Sequence, residues 1–196
     1  MRNSKYDIIL IGGGGHCKAC IDVIEMQNLY NIAGIIDIAE KVGQTILGYP
    51  VIGCDENIED IAKQYNNYLI TIGQIKSFMK RYKLFDQIKK VNGVFPVIIS
   101  PLAHVSKHAS IQEGSIIMHG TIVNANANIG SNCIINNNAL IEHDVTIENH
   151  CHVSTGAIIN GNSVVKAGSF IGSNATVIES MIIEENSFIK ANSLAQ

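Results

Sequence analysis

The chain has 196 residues, of which 14 are Lys or Arg and 17 are Asp or Glu, giving a formal net charge of −3. This length predicts one or two domains. Because the basic residues are scattered, the composition argues against a nucleic-acid partner and against binding to an anionic membrane. No stretch approaches the roughly eighteen apolar residues of a membrane span, and the N-terminus runs directly into a strand-like segment. We therefore expect neither a signal peptide nor a span, and a cytoplasmic location.

The first half of the chain alternates strand-like and helix-like segments. Asp7–Ile11 is a continuous apolar run, typical of a buried parallel strand. The segments predicted after it are a helix from about Lys18 to Asn28, a strand Ile32–Ile38, a turn and short edge segment Gly48–Gly53, a helix Glu56–Tyr65, a strand Tyr68–Ile72 and a basic-faced helix Ile75–Lys90. Such alternation indicates a parallel sheet with right-handed crossovers. We predict a small Rossmann-like domain over residues 1–95.

The glycine loop Gly12–Gly15 has the composition of a phosphate-binding turn. A dinucleotide fingerprint Gly-x-Gly-x-x-Gly fails, because Cys17 stands at its last glycine position. Backbone N–H groups at a helix start still suit a phosphate. The residues concerned are Gly13, Gly14, Gly15 and His16. Asp37, at the end of the second strand, stands where an acidic residue usually meets a ribose hydroxyl. We expect a nucleotide site, with a ligand-free tight turn as the alternative.

Five cysteines are present, and Cys17 and Cys20 form a C-x-x-C pair at the predicted helix start. This spacing also occurs in thioredoxin-like redox sites. The Gly-Pro that usually separates such cysteines is absent and a glycine loop precedes them, so two thiols that line a helix are the favoured interpretation. Cys133 and Cys151 fill small inward positions of the repeat described next and are expected in the core.

From Ile99 to Ile189 every sixth residue is Ile or Val, sixteen times in succession. The fifth position of the same hexads is almost always small, as at Ala109 and Ala157. A period of six fits neither an amphipathic helix nor an alternating strand. It is typical of a parallel β-helix, in which each face sends one bulky side chain inward and Asn or Gly occupies the corners. Three faces make a coil of eighteen residues, which predicts about five coils over residues 96–196.

The repeat resembles that of the left-handed β-helix acyltransferases of the hexapeptide-repeat family, and the handedness is an implication of that resemblance. The predicted fold class is therefore α/β plus all-β, a Rossmann-like domain followed by a left-handed parallel β-helix. A structural or ice-binding solenoid is the alternative. A zinc lyase also exists on this type of β-helix, with two of its histidine ligands five residues apart. No two of the seven histidines here have that spacing, so we expect no metal.

The segment Ile141-Glu142-His143-Asp144, followed by His150–Ala157, closely resembles the sialic-acid O-acetyltransferase type of sugar O/N-acyltransferases. Those enzymes join a small nucleotide-binding domain to a trimeric left-handed β-helix. The resemblance implies that His143 is the general base, that Asp144 orients it where close relatives often carry Glu, and that His152 lies by the thioester end of CoA. It extends to the first domain, where the candidate substrate-binding residues are Gly13, Gly14, Gly15, His16, Asp37 and Gly73.

The chemistry of these residue types agrees with those roles. A nucleophile that attacks a thioester must lose a proton, and imidazole has an ordinary pKa of about 6.5. Gly161 lies eighteen residues after His143, hence one coil further and about 4.8 Å along the axis. Relatives also carry a glycine there, so we assign its N–H to the oxyanion of the thioester carbonyl. A polar corner residue without a catalytic role is the alternative for His143.

We expect a homotrimer that transfers an acetyl group from acetyl-CoA to the amino group of a UDP- or GDP-linked amino sugar, in bacterial surface-glycan or nonulosonate synthesis. The alternatives are O-acetylation of sialic-acid-like sugars and a non-catalytic nucleotide-sugar-binding protein. The sequence names neither the sugar nor the base. Relatives usually close their last coil with Gly-x-Pro-Ala and a basic residue that touches CoA. This chain ends in repeat register at Asn192–Gln196, a departure that bears on tight CoA binding.

Overall fold

The protein is described by a computed structural model that covers residues 5–196. Residues 1–4, part of the segment in which no signal peptide is predicted, lie outside the described residues. The chain forms two compact units, one containing the chain up to Gly73 together with Lys83–Pro96, the other containing Gln74–Tyr82 and Val97–Gln196. Sequence prediction places a single boundary after residue 95, whereas the contacts place Gln74–Tyr82 with the second unit. No helix within residues 5–196 is long and apolar enough to cross a membrane.

The first unit is built on a five-stranded sheet of order β3-β4-β2-β1-β5, in which β3 pairs antiparallel with β4 and the other pairs are parallel. The strands and helices are β1 (Tyr6–Ile11), α1 (Gly15–Gln27), β2 (Tyr30–Ile36), β3 (Thr45–Ile46), β4 (Tyr49–Gly53), α2 (Ile58–Ile61), β5 (Asn67–Ile70) and α3 (Met79–Lys90). Short 3-10 turns occupy Ala39–Lys41 and Asp55–Asn57. The predicted parallel α/β architecture is present.

Several predicted boundaries differ from the observed ones. The first helix begins at Gly15 rather than Lys18, because Gly14 takes an extended N-cap conformation (φ −81°, ψ −163°) and the last glycine of the loop is already helical. The helix ends at Gln27, and the next residue, Asn28, caps it with a left-handed φ of 61° that lets its N–H reach the carbonyl of Ile24. Two predicted helices are shorter: Glu56–Tyr65 contains only α2, and Ile75–Lys90 becomes helical only at α3.

The second unit consists of two-residue strands that stack into three parallel sheets. The strands are β6 (Ile98–Ile99), β7 (His104–Val105), β8 (Ser110–Ile111), β9 (Ile116–Ile117), β10 (Ile122–Val123), β11 (Asn128–Ile129), β12 (Ile134–Ile135), β13 (Leu140–Ile141), β14 (Thr146–Ile147), β15 (His152–Val153), β16 (Ile158–Ile159), β17 (Val164–Val165), β18 (Phe170–Ile171), β19 (Thr176–Val177), β20 (Ile182–Ile183), β21 (Phe188–Ile189) and β22 (Leu194–Ala195). Each strand pairs with the strand three further along, as β10 does with β13, where Ile122 faces Leu140. One coil therefore contains eighteen residues, as predicted.

The inward positions of the coils form one continuous core. The Ile and Val of the first hexad position are buried along the middle coils together with small residues of the fifth position such as Cys133, Cys151 and Ala157. The corners turn through residues with positive φ, which is why Asn and Gly recur there. The corner residues with φ between 54° and 62° are Asn126, Asn132, Asn138, Asp144, His150, Asn162, Asn174, Ser180, Asn186 and Asn192.

The outward positions of the three sheets differ in chemistry. One sheet presents an apolar column that includes Ile122 and Leu194, with 41% and 56% of their surface exposed. A second presents mostly polar residues, among them Ser110, Asn128 and Thr146. In the third, Ile116 and Ile134 are fully buried. The three outward faces of the solenoid are thus chemically different from one another.

Candidate active site

His143 and Asp144 lie at the corner between β13 and β14 and form a hydrogen-bonded pair. Asp144 has a left-handed backbone (φ 62°), and its Oδ2 lies 2.8 Å from Nδ1 of His143. A carboxylate at neutral pH only accepts, so Nδ1 carries the proton and donates it. The lone pair of the neutral ring is then on Nε2. Because 60% of the His143 side chain is exposed, this nitrogen is accessible to a substrate.

The surroundings of the pair favour a charged imidazole and a charged carboxylate. The hydrogen bond to Asp144 raises the pKa of His143, an effect opposed by partial desolvation and supported by the negative charges of Asp144, Glu142 and Glu179. Hydrogen bonds from Asn126 and His143 lower the pKa of Asp144. The pair can therefore stabilise a proton that arrives on Nε2, as a general base must.

Gly161 lies against the ring of His143 from the next coil. A Cβ built on Gly161 would come within 2.8 Å of Cε1 and 3.1 Å of Nε2 of that ring. The neighbouring Asn162 donates its backbone N–H to the carbonyl of His143 at 3.1 Å, which holds the two corners together. Among the described residues, the N–H of Gly161 has no hydrogen-bond acceptor. The structure thus brings His143, Asp144 and Gly161 into one place.

His152 has a different environment from His143. Only 7% of its surface is exposed, and its ring packs edge-on against Phe170 with the centroids 5.2 Å apart. Its Nδ1 lies 2.6 Å from the carbonyl oxygen of Gln74, so Nδ1 donates, and Nε2 accepts from Asn136 at 3.3 Å. Burial lowers the pKa of His152 to about 4. The contact between His152 and CoA stays a prediction. Both ring nitrogens of His152 already have hydrogen-bond partners within the protein.

The segment Gln74–Tyr82 supplies buried polar contacts that the sequence does not reveal. Arg81, which the sequence places on an exposed basic helix face, is 1% exposed and donates from Nη2 to the carbonyl (2.8 Å) and side-chain oxygen (2.6 Å) of Asn132. His150 lies beside this pair, accepts from Asn132 at 3.0 Å and stacks on Phe78. A helical charge pattern does not distinguish a solvated arginine from one that reaches a neighbouring coil, so the sequence carries no signal for Arg81.

Sequence reasoning missed Asn126, a further residue at the His143–Asp144 pair, which we call the dyad. Its Nδ2 donates to Oδ1 of Asp144 at 2.7 Å from the preceding coil, a separation of 18 residues. The spacing itself is a usable signal, since any polar residue eighteen positions from a catalytic one occupies the adjacent coil. Asn124 stands in the same relation to Glu142, to which it donates at 2.9 Å.

In the first unit, Asp37 organises the glycine loop. Its Oδ2 accepts from the N–H of Gly13 (2.9 Å) and from Nζ of Lys41 (2.8 Å), while Oδ1 accepts from the N–H of Ile38 (2.8 Å). Burial alone would raise the pKa of Asp37, but the hydrogen bonds from Lys41, Ile38 and Gly13 outweigh it and lower the pKa. The carboxylate is therefore ionised and directed at its own loop. Its expected contact with a ribose stays a prediction.

The helix start beside this loop is open. Among residues 5–196, a Cβ on Gly14 or Gly15 would meet no atom within 4 Å, and no side chain caps α1. Gly73 lies next to His16, since a Cβ on Gly73 would be 3.7 Å from the Cβ of His16. The candidate residues of the first unit thus gather around the N-terminus of α1. Oriented N–H groups at such a position attract an anion.

Burial decides between the two interpretations of the C-x-x-C pair. Cys17 and Cys20 are fully buried, and desolvation raises the pKa of Cys17 to about 11, the opposite of the activation that a redox thiol needs. Cys20 lies 3.4 Å from Nε2 of His16. Within residues 5–196, no group of three or more His, Cys, Asp or Glu side chains is arranged to hold a metal ion.

Comparison with known proteins places this geometry in a family. Residues 7–88 match the PglD N-terminal domain, and residues 126–161 match the bacterial transferase hexapeptide repeats. The chain thus resembles bacterial hexapeptide-repeat transferases over its second half and the PglD N-terminal domain over its first. The predicted resemblance and the predicted fold class are confirmed. A search of curated proteins found no match.

Three solved structures resemble nearly the whole chain. A histidine-to-alanine variant of GDP-perosamine N-acetyl transferase from Caulobacter crescentus, in complex with CoA and GDP-perosamine, is 26% identical with a TM-score of 0.90, covering 98% of this chain and 90% of that one. The acetyltransferase domain of PglB from Neisseria gonorrhoeae is 24% identical with a TM-score of 0.90, covering 98% and 92%. A second structure of that domain contains acetyl coenzyme A (24% identity, TM-score 0.86, coverage 96% and 89%).

The contact between Gly161 and His143 predicts the effect of adding one methyl group. In Gly161→Ala the new Cβ displaces the exposed His143 ring from Asp144, while the core below stays packed. We expect the melting temperature to change little and kcat to fall about 100-fold, the usual cost of misplacing a reacting group by about 1 Å. Thermal melts and steady-state kinetics measure both. Unchanged kcat would show that His143 needs no space at Gly161.

Proposed function

We propose that the protein transfers the acetyl group of acetyl-CoA to the amino group of a nucleotide-linked amino sugar, with UDP or GDP as the nucleotide, for a bacterial surface glycan or nonulosonate. The observation that carries this proposal is the Nδ1–H bond from His143 to Asp144, which leaves Nε2 accessible on a ring that lies against Gly161. The complex of the 26% identical relative with CoA and GDP-perosamine supports the pair of substrates. Both kinds of substrate are cytoplasmic metabolites, so we propose that compartment.

The chemistry at the dyad follows from its protonation state. The neutral amine of the sugar attacks the thioester carbonyl carbon, a C–N bond forms and the carbonyl oxygen becomes negative. Nε2 of His143 takes a proton from the nitrogen, and Asp144 stabilises the resulting imidazolium. When the C–S bond breaks, that proton passes to the CoA thiolate. The products are the N-acetylated sugar and free CoA, and His143 returns to its neutral form.

Gly161 is proposed to stabilise the oxyanion of this reaction. Its N–H makes no hydrogen bond within the described chain, so it needs no rearrangement before it donates. A donor that is already oriented stabilises developing charge without a reorganisation cost. The same residue leaves room for the ring of His143, because any side chain would contact that ring. One glycine thus meets two requirements of the site.

The first unit is proposed to hold the nucleotide. The N-terminus of α1 presents backbone N–H groups at Gly14, Gly15 and His16 with open space in front of the glycines, which suits a diphosphate. Gly13 acts indirectly, since its N–H is held by Asp37 and keeps the loop in shape. Gly73 lies close enough to His16 to line the same site. Asp37 faces this loop and is the proposed partner of the ribose or base.

We propose that the protein works as a homotrimer with sites between neighbouring chains. The apolar column that includes Ile122, Leu140, Ile158 and Leu194, interrupted by Thr176, supports this, because exposed apolar side chains such as Ile122 and Leu194 favour association. A single solenoid face is also too flat to enclose a pantetheine arm. Sedimentation is expected to give a trimer, and a fully active monomer would contradict the proposal.

The substrate class is tested by measuring thiol release from acetyl-CoA. The panel contains UDP- and GDP-linked amino sugars, GDP-perosamine among them, together with sialic acids. We expect release only with a nucleotide-linked amine. Release only with sialic acids would favour O-acetylation instead. Binding of nucleotide sugars without any release would indicate a non-catalytic protein.

Replacement of the base has a defined kinetic signature. His143→Ala should lower kcat by about 10²- to 10⁴-fold and leave the trimer intact. Asp144→Asn should cost less, because an amide still orients the ring but does not stabilise its charge. In the parent, kcat/KM should rise with pH through the pKa of His143, which lies above its ordinary value because of Asp144. The amine of the sugar also titrates, so the rise of kcat/KM with pH is assigned to His143 only if it is absent in His143→Ala. If His143→Ala keeps most of the parent's turnover, another residue is the general base.

The nucleotide site is tested by Gly14→Val. Gly14 has an allowed φ of −81° and empty space around its Cβ position, so the protein should fold normally. The branched side chain would occupy the space in front of the α1 N-terminus. We expect KM for the nucleotide sugar to rise at least tenfold, which is about 1.4 kcal/mol, and KM for acetyl-CoA to stay the same. Equal damage to both constants would favour the ligand-free turn.

A further inference from the structure

Each oxygen of the Asp144 carboxylate is bound by a different residue. Oδ2 receives Nδ1–H of His143 at 2.8 Å, and Oδ1 receives the amide of Asn126 at 2.7 Å. We infer that Asn126 is a positioning residue for the proposed reaction, which fixes the Asp144 carboxylate so that the carboxylate in turn orients His143. This inference rests on the proposed function, since it assigns a role at the same site.

The geometry explains why Asp144 needs a second partner. The terminal torsion of an aspartate is broad, so a carboxylate held by one hydrogen bond can rotate about its Cβ–Cγ bond. A donor on the opposite oxygen removes that freedom. Asn126 and Asp144 share a left-handed backbone with φ of 62° at both, and the N–H of Asp144 donates to the carbonyl of Ala125 at 3.2 Å. Their side chains therefore leave equivalent corners of adjacent coils in parallel.

Asn126 is itself held in place by the sheet beside it. Its backbone carbonyl accepts from Nδ2 of Asn128 at 3.1 Å, and Oδ1 of Asn128 accepts from the hydroxyl of Ser110 at 2.7 Å. Its N–H donates to the carbonyl of His108 at 3.2 Å. Hydrogen bonds thus run without a break from Ser110 through Asn128 and Asn126 to the dyad. A network of this kind limits the orientations that its last member can take.

The electrostatic consequence concerns His143. The amide of Asn126 is the largest influence that lowers the pKa of Asp144, and Asp144 is the largest that raises the pKa of His143. The other charged groups that act on the ring are Glu142 and Glu179. Loss of the Asn126 amide frees the Asp144 carboxylate to rotate away from Nδ1 of His143, and the weaker hydrogen bond should bring the pKa of His143 down toward its ordinary value.

The competing explanation is that the hydrogen bond between Asn126 and Asp144 only stabilises the stacking of the coils. In the same column, Asn162 donates to the hydroxyl of Ser180 at 3.1 Å, so polar contacts between stacked corners also occur away from Asp144. Removal of such a contact would lower stability without changing the ionisation of His143. The pKa of His143 is thus the measurement that separates the two explanations, and it needs no knowledge of the natural sugar.

The test uses the full-length protein and two asparagine-to-glycine variants. Asn126→Gly removes the amide without backbone strain, because glycine accepts the left-handed φ. Asn174→Gly is the matched control, since Asn174 has φ of 54° in a column where Gly120 and Gly156 already stand. The ring C–H signals of His143 are followed by NMR through a pH titration of each protein. Steady-state kinetics use acetyl-CoA and whichever nucleotide-linked amine of the panel reacts.

For Asn126→Gly we expect a lower pKa of His143, so the rise of kcat/KM with pH should occur at lower pH. We also expect a kcat about 3- to 10-fold below that of the parent, with both KM values unchanged. The control should keep the parent pKa and kcat. An unchanged His143 pKa in Asn126→Gly, or an equal shift in Asn174→Gly, would overturn the inference. A His143→Ala variant that stays active would instead contradict the proposed function, so the two failures are distinguishable.

Asn126→Asp provides a second variant of nearly the same shape. It places a carboxylate oxygen where the amide now donates to Asp144, and two carboxylates this close cannot both be ionised without mutual repulsion. At low pH a shared proton restores the hydrogen bond, whereas at high pH the repulsion displaces Asp144. The ratio of its kcat to that of the parent should therefore fall as the pH is raised and the shared proton is lost. A ratio independent of pH would contradict the positioning role.

Discussion

The backbone hydrogen bonds between successive coils are the constraint on which the second unit depends. They align every corner with the corner of the next coil, as the bonds from the N–H of Asp144 to the carbonyl of Ala125 and from the N–H of Asn162 to the carbonyl of His143 show. The same register keeps the Ile and Val of each hexad inside, so the core and the candidate site share one origin. An insertion of a single residue would turn inward side chains outward and separate the members of the site.

The candidate active site consists of exposed groups, which affects how its charges act. An ion pair between exposed side chains contributes little in water, and 60% of His143 is accessible in the single chain. In the same unit, the half-buried His150 and the buried His152 have pKa values of about 4 and stay neutral. Exposure thus leaves His143 able to gain a proton near neutral pH. Its full catalytic effect requires that bound substrates exclude water from the pair.

The first unit shows how an acidic residue can serve a ligand site without leaving its own loop. Asp37 is ionised, mostly buried and bound by Gly13, Ile38 and Lys41. These bonds fix the turn that presents Gly14 and Gly15 to solvent. The absence of side chains there is a requirement of the proposed phosphate contact, while the glycine at 12, with φ of 100°, is a requirement of the turn itself.

The sequence by itself determined the coil, its length of eighteen residues and the positions of His143, Asp144 and Gly161, because a repeat of six specifies which residues stack. It also determined the parallel α/β unit and the open glycine loop. Only the tertiary structure decided what covers each face. His143 and His152 belong to one motif in the sequence, yet His152 is buried against Gln74 and Arg81 reaches Asn132. Gln74 and Arg81 both lie in the segment Gln74–Tyr82, which the sequence pattern assigns to the first domain. Periodicity along a chain contains no information about which distant segment packs on a given column.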